Sequence, residues 1–257
     1  MGFSAQWLAL REPADQKARD PALLTRAVAA AGPAPVILDL GCGTGSTVRA
    51  LAPHLPETAR WHLVDNDPLL LDQASAEAPG RVQVHELDLA QLDALPLEGV
   101  TLVTASALLD LMPAAWIEDL AAILAAAGLP FYAALSYDGI MSWEPALPKD
   151  HDVTRAFNDH QRSDKGLGPA LGPDAGTVAA TIFRAAGFNV QQAISPWRIA
   201  AEAVPLHRAL VEGIADAAGQ AGQPMAAEWG RARAGMASES RCLIGHLDLL
   251  ALPPRTA

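Results

Sequence analysis

Val36-Ile37-Leu38-Asp39-Leu40-Gly41-Cys42-Gly43-Thr44-Gly45-Ser46 is the stretch whose reading decides the fold. Apolar residues on both sides of one acid predict a strand buried on both faces, as in a parallel sheet. The three glycines that follow predict a turn into a helix beginning near Ser46. Glycine has no Cβ, so the turn's amides can close on a ligand that larger residues would hold away, and the start of the helix adds a positive end. A dinucleotide fingerprint needs a third glycine three residues after the second. Here the glycines are 41, 43 and 45, and position 46 is serine. That spacing argues against a pyrophosphate ligand.

Asp39-Leu40-Gly41-Cys42-Gly43-Thr44-Gly45 resembles the first motif of the class I S-adenosylmethionine (SAM)-dependent methyltransferases. The resemblance implies an α/β fold in three layers, Rossmann-like, with seven mostly parallel strands. The seventh would run antiparallel between the fifth and sixth. It also implies SAM as cofactor: Gly41, Cys42, Gly43 and Gly45 would pass beneath its methionine part, and Asp39 would help to hold the amino group.

The chain downstream supplies the strands this fold needs. Val48, Leu51, Ala52 and Leu55 form a helical stripe ending near Pro56. Residues 61–65 (Trp-His-Leu-Val-Asp) predict the second strand, with Asp65 at its C-terminal end, where open α/β sheets bind ligands. A carboxylate there can accept hydrogen bonds from both ribose hydroxyls. Asp67 before Pro68 suffices to cap the next helix, which leaves Asp65 free for that task. Residues 81–89 predict a third strand. By resemblance Asp88 would accept from the adenine amino group, Leu89 would pack on the ring, and Asn66 and Leu87 would line the same pocket. Val100–Ser106 is the fourth strand, after which the family presents groups to the transferred methyl, so Ser106 joins the cofactor set. The Asn-Pro-Pro-Tyr type motif of base and glutamine methylation is absent. Leu129–Ser136 is the fifth strand, Asn189–Ile194 the sixth, and Arg241–Leu250 the last.

The chain reads as one domain over 1–257: a helical cover (1–32), a cofactor half (33–136), and substrate-side insertions at 137–172 and 196–238. Asp20-Pro21 predicts a helix start and Gly32 its end. A net charge of -11 argues against nucleic acid as partner, because that affinity draws on clustered Lys and Arg. With 51% hydrophobic and 18% charged residues the chain is globular, and no apolar run is long enough for a bilayer. These features predict a cytoplasmic protein acting on a small molecule. The two cysteines, Cys42 and Cys242, make neither a disulfide framework nor a metal cluster.

Methyl transfer from a sulfonium is an in-line displacement, so alignment carries most of the catalysis. An oxygen or carbon nucleophile also needs a base. His160, whose ordinary pKa lies near neutrality, and Asp110, costly to bury unless it faces a cleft, are the candidates, with His151 behind them. His151 and His160, nine residues apart, predict no metal site. Tyr137, Gln161, Lys165 and Arg11 are candidates for binding the acceptor. Arg11, Lys165, Arg162 and Arg198 together could grip a carboxylate or phosphate. Two other readings stay open: a non-catalytic SAM-binding sensor or partner subunit, and a nicotinamide oxidoreductase.

Overall fold

The computed structural model describes residues 4–77 and 79–254. Helix α1 (Ala5–Ala18) starts at Ser4, whose hydroxyl accepts the Trp7 amide, and carries Pro13 in its interior. Helix α2 (Pro21–Ala30) starts at Asp20, whose Oδ1 accepts the Leu23 amide at 2.8 Å, with Pro21 at its first position. Then follow β1 (Val36–Leu40), α3 (Ser46–Leu51), β2 (Arg60–Asp65), α4 (Pro68–Ser75), β3 (Val82–Glu86), β4 (Leu102–Ser106) and α5 (Ala114–Ala127). The second half runs β5 (Phe131–Glu144), α6 (Asp150–Gln161), α7 (Ala175–Ala185), β6 (Asn189–Ile194), β7 (Trp197–Ile199), α8 (Val204–Gln220), α9 (Ala226–Gly235) and β8 (Arg241–Leu252).

The sheet order is β3-β2-β1-β4-β5-β8-β6. Strands β1 to β5 are parallel, and β8 is antiparallel to both β5 and β6. The predicted place of the last strand is therefore observed. The predicted count of seven is corrected to eight, because the three-residue β7 pairs with the first half of β8. Alternate residues of β1 face opposite layers: Leu38 and Leu40 pack with α5 and α7, Ile37 with α2 and α3. Parallel strands bring their C-terminal ends to one edge, and there Asp65, Ser106 and the turn after Leu40 meet. No helix among the described residues is long and apolar enough to cross a membrane.

A third apolar cluster gathers α1, α6, α8, α9, β7 and the outer halves of β5 and β8. It exists because β5 does not stop at Ser136. The strand bends where its register against β8 shifts, between Ala133 and Ser136, and runs on to Glu144. Leu135 stands in the bend at φ 59°, a conformation disfavoured for any residue with a Cβ. Asp248 of β8, fully buried, holds it there. Its Oδ1 accepts the Leu135 amide at 2.9 Å, and its Oδ2 accepts the Asp20 amide at 2.9 Å and the Tyr132 hydroxyl at 3.3 Å. One carboxylate thus ties the bend of β5 to the joint between α1 and α2. The insertion over 137–172 is accordingly a strand extension, helix α6 and a shorter connection.

Asp248→Ala should lower the free energy of unfolding by roughly 2–4 kcal/mol, because three buried donors lose their acceptor together. Urea denaturation measures this; a loss below about 0.5 kcal/mol would remove Asp248 from its organising role.

Candidate cofactor and acceptor site

At the end of β1 the chain turns through Gly41, Gly43 and Gly45, at φ 62°, 54° and 83°. A side chain at any of them would be strained by the backbone alone. It would also press on neighbours: a Cβ at Gly43 would stand 3.1 Å from Leu8 of α1, and one at Gly41 3.2 Å from Leu108. Helix α3 has only six residues, so the turn rather than the helix dipole shapes this place. Asp65 clasps the turn: its Oδ2 accepts the Gly43 amide at 2.9 Å, while Oδ1 accepts the Asp67 amide at 3.1 Å. The Cys42 amide donates to Val64 at 2.9 Å, and burial pushes its thiol up, out of the thiolate range.

Asp39 lies one residue inside the strand end and is 1% exposed. Its Oδ1 accepts the Thr104 hydroxyl at 2.7 Å, and its Oδ2 has no partner. Burial raises its pKa to about 7, against the lowering effects of Thr104 and the Arg19 charge. Ser106, at the tip of β4, accepts a hydrogen bond from Arg19 at 2.9 Å. Ala107, next in the chain, is held at φ 50° with its amide on the Ala134 carbonyl at 2.9 Å. Asn66 and Asp88 are exposed at the tips beyond β2 and β3. Asp88 caps its own turn through the Ala90 amide at 2.9 Å. Leu89 packs against the core, and its carbonyl accepts the Trp116 indole N–H at 2.7 Å.

Helix α1 covers the turn. Arg49 of α3 bonds both oxygens of Glu12, at 2.5 and 2.6 Å, the Thr44 carbonyl at 2.7 Å and Glu77 at 2.6 Å. With Leu8 facing Gly43, the hollow is shut from the side of α1.

Beyond the tip of β4, Asp110 is 7% exposed with Oδ1 unpartnered. Burial raises its pKa to about 6, while the charges of Arg11 and Lys165 act in the opposite sense. Lys165 is brought there by the segment after α6, which Asp164 folds by accepting the Gly166 and Gly168 amides, and which docks through the Leu171 amide on the Met112 carbonyl at 2.9 Å. Arg11 is held by Asp15 in a two-point ion pair, at 2.9 and 3.1 Å, and lies 5.0 Å over the Trp197 ring. Tyr137 donates its hydroxyl to Asn158 of α6 at 2.8 Å. Its ring stands edge-on to His246, which also packs on Trp197. His246 is buried with Nδ1 unpartnered, and burial lowers its pKa to about 3, so it is a neutral wall of this region.

Residues 37–128 match a family profile described as a methyltransferase domain. The matched part runs from β1 through α5 and holds the glycine turn. No curated relative matches the sequence. Among solved structures, a SAM-dependent methyltransferase from Geobacter sulfurreducens bound to S-adenosylhomocysteine (SAH) aligns with 99% of this chain and 100% of its own, at 18% identity and a TM-score of 0.50. A cyclopropane-fatty-acyl-phospholipid synthase-like protein from Lactobacillus casei aligns over 98% and 95%, at 14% identity and a TM-score of 0.52. Both share the fold.

The residues fit the cofactor of a methyltransferase domain. Asp39 presents a buried, unpartnered acceptor, its Oδ2, beside the glycine turn, and Asp65 holds that turn from the tip of the neighbouring strand. On the acceptor side the domain brings Asp110, Arg11, Lys165 and Tyr137 together. His160 touches Lys165, its Nδ1 3.4 Å and its carbonyl 3.0 Å from Nζ, while its Nε2 turns to Gln220 of α8, 3.2 Å away, and Gln161 ends α6 beside Gly172. Arg162 pairs with Asp174, and Arg198 points outward from β7, so the predicted cluster of four cations is reduced to Arg11 and Lys165. His151 is exposed at the other end of α6 from His160, and the described residues hold no cluster of three metal-ligating side chains. Arg19 and His246 escaped the sequence reading. Arg19 had one signal, its place directly before the Asp20-Pro21 helix start; His246 had none, being one alternate residue of a buried strand.

Asp39 gives a test of sign. Its pKa is raised in the folded state, so its destabilising effect is absent below about pH 4, grows as the unfolded chain ionises, and is complete above about pH 7. Asp39→Asn, without cofactor, should therefore unfold at higher urea than wild type at pH 8, by on the order of 3 kcal/mol, and the gap should close toward pH 4. A difference independent of pH would contradict this.

Proposed function

We propose that the protein transfers the methyl group of SAM to a small-molecule acceptor, and that the acceptor lies between Asp110, Tyr137 and Lys165 under the cover of α1. The observation that carries the reading is the glycine turn clasped by Asp65 beside the buried Asp39, whose Oδ2 has no partner. SAM supplies an electrophilic methyl on a sulfonium, displaced in line by the acceptor.

The chain's own residues do the rest. Asp65 would accept the ribose hydroxyls, Asp88 would receive the adenine amino group, and Leu89 would form the floor of that pocket. Cys42 packs without reacting, since its thiol stays protonated. The charge of SAM's amino group favours ionised Asp39. Asp110 takes the acceptor's proton. Its carboxyl is raised to about 6, so it is mostly ionised at neutral pH yet basic enough to accept. Asp110 suits this better than His160, whose ring is engaged by α8. Lys165 and Arg11 keep Asp110 ionised and leave positive potential for an acidic acceptor group. The net charge of -11 supports a small molecule over nucleic acid as acceptor, and the same composition supports a cytoplasmic setting. Helix α1 acts as the cover over the cofactor, released when Arg49 lets go of Glu12.

Calorimetric titration with SAH tests the cofactor reading. Wild type should bind one equivalent, and Asp65→Ala should weaken binding by about 1.5–3 kcal/mol, as loss of charged hydrogen bonds does. Unchanged affinity would take Asp65 out of the site. The base is tested separately with an acceptor found by screening for SAH release. The single-turnover rate should rise with pH through about 6 and then level, and Asp110→Asn should abolish that limb and lower the rate roughly 10²- to 10⁴-fold. An unaltered profile in Asp110→Asn would assign the base elsewhere.

A further inference from the structure

Two histidines meet on the sheet away from the site described above. In the parallel register Leu38 of β1 pairs with His62 of β2, and Val64 of β2 pairs with His85 of β3. Paired residues share a face of the sheet, and so do residues two apart on one strand. His62 and His85 therefore project from the same face as Leu38. Nδ1 of His62 stands 2.9 Å from Nε2 of His85, with ring centroids 5.1 Å apart and ring planes at 27°. The centroid spacing is little more than that gap plus the two ring radii, so the rings lie end to end. Between neutral rings this contact is one N–H···N hydrogen bond. Both side chains are half-buried, and β3 is the outermost strand, which leaves the pair open to solvent from one side. Burial lowers the pKa of both, and the neighbouring His62 lowers that of His85 further, so both rings are neutral at pH 7.

We infer that His62 and His85 form a two-point site for a divalent transition-metal ion of the Ni2+ or Cu2+ kind, which clips β3 onto β2. Neutral imidazole is the form that binds metal. Two imidazole nitrogens, each about 2.0–2.1 Å from one ion, stand about 2.9 Å apart at adjacent corners of a square or octahedral centre and about 3.4 Å apart at a tetrahedral one. The observed 2.9 Å matches the first arrangement, which Cu2+ and Ni2+ favour. Each ring has to turn by about 45° for its lone pair to reach the shared ion, and half-buried side chains at a sheet edge have room for that. The ring that donates shifts its proton to its outer nitrogen, so both stay neutral. The described residues place no third His, Cys, Asp or Glu beside the pair, so water completes the coordination. Hard cations such as Mg2+ seek oxygen and gain little from two nitrogens. His62 lies three residues before Asp65 and His85 three before Asp88. An ion held here braces the two strands that lead to those acids. The site does not depend on the methyltransferase reading.

The test is calorimetric titration of untagged, metal-free protein with NiCl2 at neutral pH, with MgCl2 as the comparison. Wild type should bind one equivalent of Ni2+ in the micromolar range and should not bind Mg2+. His62→Gln and His85→Gln should each weaken Ni2+ by at least about tenfold. Ni2+ should raise the melting temperature of wild type and of neither variant, because the clip exists only in the folded chain. Should a variant fail to fold, nuclear magnetic resonance on the wild type decides. Of the seven histidines, His62 and His85 should be the first whose ring signals broaden as paramagnetic Cu2+ is added. No Ni2+ binding by wild type, equal binding of Mg2+, affinity kept within about twofold by either variant, or broadening that begins at another histidine overturns the inference.

Discussion

The Gly43 amide on the Asp65 carboxylate, at 2.9 Å, is the contact around which the site is organised. It joins the turn after β1 to the tip of β2. It can form only because Gly41, Gly43 and Gly45 take positive φ and carry the backbone across the strand ends without side chains in the way. Everything that would touch a sulfonium nucleoside sits around that junction: Asp39 one residue behind, Ser106 on the neighbouring strand, Asp88 beyond the third. Replace the glycines and the same acids would line an ordinary sheet edge.

A second constraint sets the acceptor side. The buried Asp248 fixes an unfavourable bend in β5, and the bend lets the strand run past the sheet edge as a wall carrying Tyr137. The same carboxylate holds the joint between α1 and α2, so the cover and the wall share one support. Asp150 anchors the far end of this wall, bonding the Trp229 indole and the Arg233 guanidinium, which lies over Trp143. The strain sits beside the strand tips, in keeping with strained backbone gathering at functional places. The ion pairs of Arg49 with Glu12 and Glu77, which tie α1 to the turn side, are partly exposed and so individually weak.

What was legible in the sequence was local. The Asp39-to-Gly45 run and the acids at 65 and 88 could be read because each sits a fixed number of residues from a strand end. The helix start at Asp20-Pro21 follows from the two residues themselves. What was not legible depended on partners far along the chain. The bend at Leu135 is set by Asp248, and the burial of Arg19 by Ser106 and Tyr132, so neither leaves a periodic trace. His160 looked suitable by its ordinary pKa; a helix then turned it to Gln220. Arg162 and Arg198 read as members of an anion site because charge shows in a sequence and direction does not. Asp110 was flagged by the cost of burying an acid among apolar neighbours, a rule that holds wherever the partner lies.

A crystal structure with SAH bound would test the central claim most directly. The adenosine ribose should lie on Asp65, the amino-acid end should reach the pocket between Asp39 and Ser106, and Leu8 should have moved off Gly43. Density for SAH elsewhere on the protein, with the turn still capped by Leu8, would contradict it.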